Sequence, residues 1–116
     1  MSENEPEYVF DQTQIGKGLK PLAQHGFVVI DRGTLTLLGS DQQMIARAPL
    51  SAVSAHKVRM TRGQTLSLTM GGEKYNVSPG WGRYSGTFVL PGQAKPVKSA
   101  AEMLLTLIGN GGGTAG

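Results

Sequence analysis

Apolar and polar residues alternate over much of this chain, which is the period expected of β-strands with one buried face. Residues that favour turns separate these segments: a turn is predicted at residues 31–33 (DRG), and residues 71–72 (GG) have the composition of a two-residue hairpin turn. The pattern predicts seven short antiparallel strands, at residues 27–30, 34–37, 44–48, 56–61, 65–70, 74–78 and 87–90. In the fourth and fifth of these, it places His56 and Leu66 on the inner face and Lys57 on the outer face.

A helical period replaces the alternation near the C-terminus. One apolar face is formed there by Val97, Ala101, Leu104, Leu105 and Ile108. Ser99 and Glu102 have the spacing of a capping box, although Pro96 at the first helical position is an alternative start. Gly109 stands where a left-handed residue would end the helix.

The length of 116 residues indicates one domain, and 17 glycines favour a fold rich in turns. We expect residues 1–24 to form an acidic, partly mobile N-terminal arm and residues 25–108 to form the folded domain. Residues 109–116 are glycine-rich and offer little to bury, so we expect a disordered tail.

The order of seven strands followed by one helix resembles the pleckstrin-homology-like (PH-like) superfold. Three stretches carry the likeness, 26–38 (GFVVIDRGTLTLL), 48–53 (APLSAV) and 73–77 (EKYNV). They are similar to small PH-like and GRAM-like domains of actinobacteria and their phages, over residues 26–108. The resemblance implies a mainly β fold, a half-open barrel of about seven antiparallel strands capped by one C-terminal α-helix.

The resemblance does not extend to phosphoinositide binding. PH domains that bind these lipids surround the first hairpin loop with Lys and Arg. Here that loop, residues 31–33, contains one Asp and one Arg. We therefore do not expect a phosphoinositide ligand.

The chain lacks the residues that several kinds of functional site require. The chain has no cysteine, which excludes disulfides, Cys-ligated metals and thiol catalysis. His25 and His56 have no partners at metal-site spacing, and residues 16–18 (GKG) lack the rest of a phosphate-binding loop. We expect that the protein is not an enzyme and that it binds no metal or cofactor. The mostly apolar stretch at residues 103–108 (MLLTLI) is far shorter than the ~20 residues of a membrane span, so we expect a cytoplasmic protein without a membrane span.

The charge is unevenly distributed. The net charge is +3, but four of the eight acidic residues lie within the first eleven positions, which leaves eleven basic and four acidic residues in the remainder. Alternation places Lys57, Arg59 and Lys74 on the outer sheet face, with Arg62 at the adjacent turn. This basic face either binds an anion or nucleic acid, or is an ordinary solvated surface; it has no interleaved aromatic side chains to stack on bases.

A glycine-rich loop at residues 79–86 is the first candidate for protein binding. It contains Trp81, Arg83 and Tyr84, the residue types that most often dominate the energy of protein interfaces. The alternative is that Trp81 covers the open end of the barrel.

The N-terminal residues Tyr8, Val9 and Phe10 give a third hypothesis. They could add as a strand to an exposed sheet edge of another copy, which would make the protein a self-associating subunit. We favour a non-enzymatic module that binds a protein partner through the aromatic loop and a groove between the sheet and the helix.

Overall fold

The computed structural model describes residues 8–58, 64–80 and 99–115. Over these residues the chain forms eight β-strands, a short 3-10 turn at Leu50–Ala52 and one α-helix. The strands are β1 (Tyr8–Lys17), β2 (Lys20–Asp31), β3 (Thr34–Leu38), β4 (Met44–Pro49), β5 (Ser54–Lys57), β6 (Leu66–Met70), β7 (Glu73–Ser78) and β8 (Thr114–Ala115). Helix α1 spans Ala100–Asn110.

All eight strands belong to one sheet, in the order β4-β3-β2-β1-β7-β6-β5-β8. Two antiparallel meanders, β1–β4 and β5–β7, are joined where β1 pairs with β7. Although β4 and β6 are far apart in this order, they approach each other, because the sheet curls into a half-barrel. The predicted fold class, mainly β with one C-terminal helix, is confirmed. The predicted strand at 87–90 lies outside the described residues.

The core fills the concave side of this sheet. In β3 and β6 alternate residues are fully buried, as the period of two predicts. Helix α1 contributes Met103, Leu104 and Ile108 to the same core. The Ser99 hydroxyl accepts a hydrogen bond from the Glu102 amide at 3.1 Å, so Ser99 is the N-cap and the helix begins at Ala100.

The sheet begins at Tyr8 and not at residue 25. β1 and β2 form a long hairpin, and Phe10 is completely buried. This strand was not predicted because Gln12, at φ 49°, forms a bulge that breaks the alternation of apolar and polar residues. Residues 8–10 therefore pair with β2 of the same chain, which does not support their role as a strand added to another copy.

The glycine-rich C-terminal residues also belong to the fold. The Gly113 amide donates to the Ile108 carbonyl at 2.9 Å, and Thr114 donates to Val53 at 3.0 Å, which starts the pairing of β8 with β5. A Cβ atom on Gly113 would lie 2.4 Å from the Leu50 carbonyl oxygen. Glycine here permits close packing. The prediction that Gly109 is a left-handed residue that ends the helix was wrong: the helix continues to Asn110, and the left-handed glycine is Gly112, at φ 93°.

Candidate recognition cleft

A cleft of about 450 Å³ opens where β1, β2 and β7 lie side by side. Its lining combines amides and hydroxyls with apolar side chains: Gln14, Ile15, Gly16, Gly18, Leu19, Lys20, Pro21, Ala23, Gln24, Asn76 and Ser78. The cleft therefore offers hydrogen-bonding groups and apolar contacts together, as ligand sites commonly do.

Gly16 creates the floor of the cleft. In the sheet it lies between Asn76 of β7 and Pro21 of β2. Because Gly16 has no side chain, the space between these two neighbours stays open. A Cβ atom at this position would lie 3.3 Å from the Lys20 carbonyl oxygen, which is a tight contact.

The β1–β2 turn forms one rim. Leu19 is fully exposed at its tip, beside Gly18 at φ 63°. The turn is held against β7 by an ion pair between Lys17 Nζ and Glu73 Oε2 at 2.5 Å. The hydrogen bond to Glu73 raises the pKa of Lys17 above its ordinary value. Asn76 Nδ2 also donates to the Gly18 carbonyl at 3.4 Å.

A polar surface continues from the cleft across the outer face of β7, β6 and β5. Cross-strand register and burial place three rows of side chains there: Gln14, Ser78 and Thr65; Asn76, Ser67 and His56; Lys74, Thr69 and Ser54. The hydroxyls of Thr65 and Ser78 are 2.7 Å apart and hydrogen-bonded. These rows contain amides, hydroxyls and two basic side chains, and no carboxylate.

Gly80 fixes the chain that follows β7 against β1. Its amide donates to the Asp11 carbonyl on β1 at 3.1 Å. A Cβ atom here would lie 2.3 Å from that carbonyl oxygen, so the approach requires glycine. The predicted aromatic segment (residues 81–84) follows Gly80 in the sequence and lies outside the described residues.

The structure separates two members of the predicted basic face. Lys74 pairs with Thr69 in the outer phase, whereas Lys57 pairs with Leu66 in the inner phase, and both are exposed. The sequence prediction was wrong for β5 because the buried residue of this strand is Ala55, opposite Leu68, and not His56, which is exposed. Five other predicted site residues lie outside the described residues: Arg59, Arg62, Trp81, Arg83 and Tyr84.

The two histidines lie apart, and each has an ordinary surface environment. His25 Nδ1 is 2.8 Å from Gln12 Oε1 at the β1 bulge, whereas His56 belongs to the outer face of β5. Within residues 8–58, 64–80 and 99–115, no three His, Cys, Asp or Glu side chains form a metal-binding group. In the same part of the chain, no helix is long and apolar enough to span a membrane.

Sequence reasoning missed the cleft because its walls come from distant parts of the chain. Gly16, Gly18 and Pro21 were visible as turn residues, but nothing local indicates that β7 lies beside β1. Comparison with protein-family models, curated proteins and solved structures gives no match. The function must therefore be argued from the geometry of this site.

Proposed function

We propose that this chain is a non-enzymatic binding module that recognises a protein partner at the cleft and the adjoining aromatic segment. The observation that carries the proposal is the contact of Gly80, which precedes the aromatic segment in the sequence, with Asp11 of β1, the strand whose Gln14 and Ile15 line the cleft. A fixed attachment point reduces the entropy that is lost when the segment beyond it binds.

The aromatic segment and the cleft offer a partner different kinds of contact. Trp81, Arg83 and Tyr84 are residue types that supply large, energetically dominant contacts at interfaces. The cleft adds apolar surface from Leu19 and Pro21. Its amides and hydroxyls suit the backbone of an extended segment of the partner, which presents a donor and an acceptor at each residue.

Two further expectations belong to the same proposal. The curled sheet closed by a C-terminal helix supports the PH-like resemblance, in which such frames carry binding sites of many kinds. The cytoplasm is the compartment we propose for the interaction, on the basis of the sequence.

Quantitative affinity capture from the source organism tests this function. Trp81→Ala should weaken capture about thirtyfold, or ~2 kcal/mol, while the melting temperature stays nearly unchanged. Leu19→Lys should also weaken capture, because it places a charge on the apolar rim. Met44→Lys is the matched control, since Met44 is the other exposed large apolar side chain of the described residues and lies on β4.

Three results would contradict the proposal. A Trp81→Ala variant that melts at a much lower temperature without a change in capture would make Trp81 a structural residue. Equal losses for Leu19→Lys and Met44→Lys would show that the cleft is not the site. Capture of nucleic acid, with an affinity that falls steeply as salt increases, would instead support the anion-binding alternative.

A further inference from the structure

The chain's own C-terminal residues occupy one edge of the sheet. β8 consists of two residues and pairs with β5 in the parallel direction, with Thr114 opposite Ser54 and Ala115 opposite Ala55. Every other strand pairing among the described residues is antiparallel. The outer edge of β5 therefore holds an extended segment that comes from a distant part of the chain.

The backbone of β5 offers more hydrogen-bonding groups at this edge than β8 uses. Successive residues of a strand direct their N–H and C=O groups to opposite sides. The Val58 amide donates to the Thr65 carbonyl at 2.9 Å, so the even-numbered residues of β5 face β6. Val53, Ala55 and Lys57 face the outer edge, where the Val53 carbonyl accepts a β8 amide at 3.0 Å. β8 ends opposite Ala55, two residues before Lys57.

The side chains of β8 contribute little to its attachment, because Thr114 and Ala115 are both exposed. The contacts that hold this segment come from the backbone. The Thr114 amide donates to the Val53 carbonyl, and the Gly113 amide donates to the Ile108 carbonyl at 2.9 Å. A two-residue strand that is held by its backbone can be replaced by a longer strand that makes the same hydrogen bonds.

The packing at Gly113 restricts which segment can take the place of β8. A Cβ atom there would lie 2.4 Å from the Leu50 carbonyl oxygen and 2.7 Å from the Val53 carbonyl oxygen. A strand that fills this slot therefore needs glycine at the same position. Beyond the end of β8, the exposed ammonium group of Lys57 favours an acidic residue in such a strand.

We propose that the outer edge of β5 is a second recognition site, which binds an extended segment of a protein partner, and that β8 competes with the partner for this site. The partner segment runs parallel to β5, as β8 does. It has glycine at the position of Gly113 and an acidic residue opposite Lys57. The site is separate from the cleft, because two strand intervals lie between β5 and β7, the nearest strand that lines the cleft.

Two proline substitutions in the full chain test the competition by β8. Thr114→Pro removes the amide that donates to Val53, so it should weaken the docking of β8. Ala115→Pro is the matched control, because consecutive amides alternate in direction and the Ala115 amide points away from β5. Amide hydrogen exchange at Ala55 should become faster in Thr114→Pro and stay as in the wild type in Ala115→Pro.

The probe for the site is an acetylated and amidated peptide with the sequence Gly-Thr-Ala-Thr-Glu, whose glutamate would lie opposite Lys57. It is titrated to about 5 mM and followed through the NMR shifts of the Ala55 and Lys57 amides. The peptide should bind Thr114→Pro about tenfold more tightly than it binds the wild type or Ala115→Pro, because β8 competes less.

Two changes in the peptide test the chemistry of the site. Alanine in place of the glycine should abolish binding, because its Cβ atom would overlap with the Leu50 carbonyl oxygen. Lysine in place of the glutamate should weaken binding, because it would lie opposite Lys57. An alanine peptide that binds as well as the glycine peptide would show that the slot of Gly113 is not used.

Three other outcomes would overturn the proposal. Thr114→Pro could show no peptide shifts at 5 mM, or the same affinity as Ala115→Pro. Self-association of Thr114→Pro, in place of peptide binding, would make a second copy the occupant of the edge. The cleft proposal fails separately, because Leu19→Lys should lose partner capture and still bind this peptide like the wild type.

Discussion

Individual glycines have different structural roles in this protein, although the sequence does not distinguish them. Gly80 and Gly113 lie so close to neighbouring backbone that a Cβ atom would overlap with it. Gly109, within the helix, would place a Cβ atom 3.6 Å from Ala115, which is an ordinary contact. A substitution by alanine should therefore have opposite effects at two positions only four residues apart.

Gly113→Ala should lower the free energy of unfolding by about 1 to 3 kcal/mol, because the methyl group forces the C-terminal strand away from the 3-10 turn. Gly109→Ala is the matched control and should be neutral or stabilising by up to ~1 kcal/mol, since alanine favours the helix. Urea unfolding of both variants measures this difference. Equal effects would show that residues 111–115 do not pack as described.

At the scale of secondary-structure elements, local sequence patterns predicted the hairpins and the helix, which form between residues close in sequence. The hairpin of β2 and β3, the hairpin of β6 and β7, and the capped helix were all indicated by alternation, turn residues and the Ser99 cap. The prediction failed where the local sequence does not show which residues of a strand are buried. In β5, pairing with β6 determines which side chains face the core. In β1, the bulge at Gln12 interrupts the alternation of buried and exposed residues.

Helix α1 closes one end of the half-barrel through one strongly buried face. Leu104→Ala should reduce stability by about 2 to 5 kcal/mol, because it leaves a cavity in the core at a side chain that is fully buried. Leu105→Ala, on the adjacent and partly exposed position, should cost clearly less. Thermal unfolding of the two variants provides the comparison. A loss as small for Leu104 as for Leu105 would mean that the helix does not pack on the sheet.

At the scale of the whole molecule, the candidate site depends on an arrangement that no local pattern encodes. The cleft exists because β7, at the end of one meander, pairs with β1, at the start of the other. The residue types of the aromatic segment were visible in the sequence, but the contact of Gly80 with Asp11 was not. The run of apolar residues at 27–30 predicted a strand, but not that β2 carries apolar side chains on both faces.

The pairing of β1 with β7 is the central structural claim, and a disulfide across it gives the most direct test. Gln14 and Ser78 are register partners in the outer phase, and antiparallel partners have Cα atoms about 4.5 to 5.5 Å apart, within disulfide range. The chain has no cysteine of its own, so no native thiol competes with the introduced pair. Gln14→Cys combined with Ser78→Cys should cross-link under mild oxidation, and the intact mass should fall by two hydrogen atoms.

The control combines Gln14→Cys with Lys74→Cys. Lys74 lies in the same phase of β7 but four residues away, about 13 Å along the strand, which is too far for a disulfide. Our account predicts a rapid intramolecular bond in the first pair and none in the second, at equal protein concentration. A free first pair, or equal cross-linking of the two, would contradict the sheet order and with it the cleft beside Gly80.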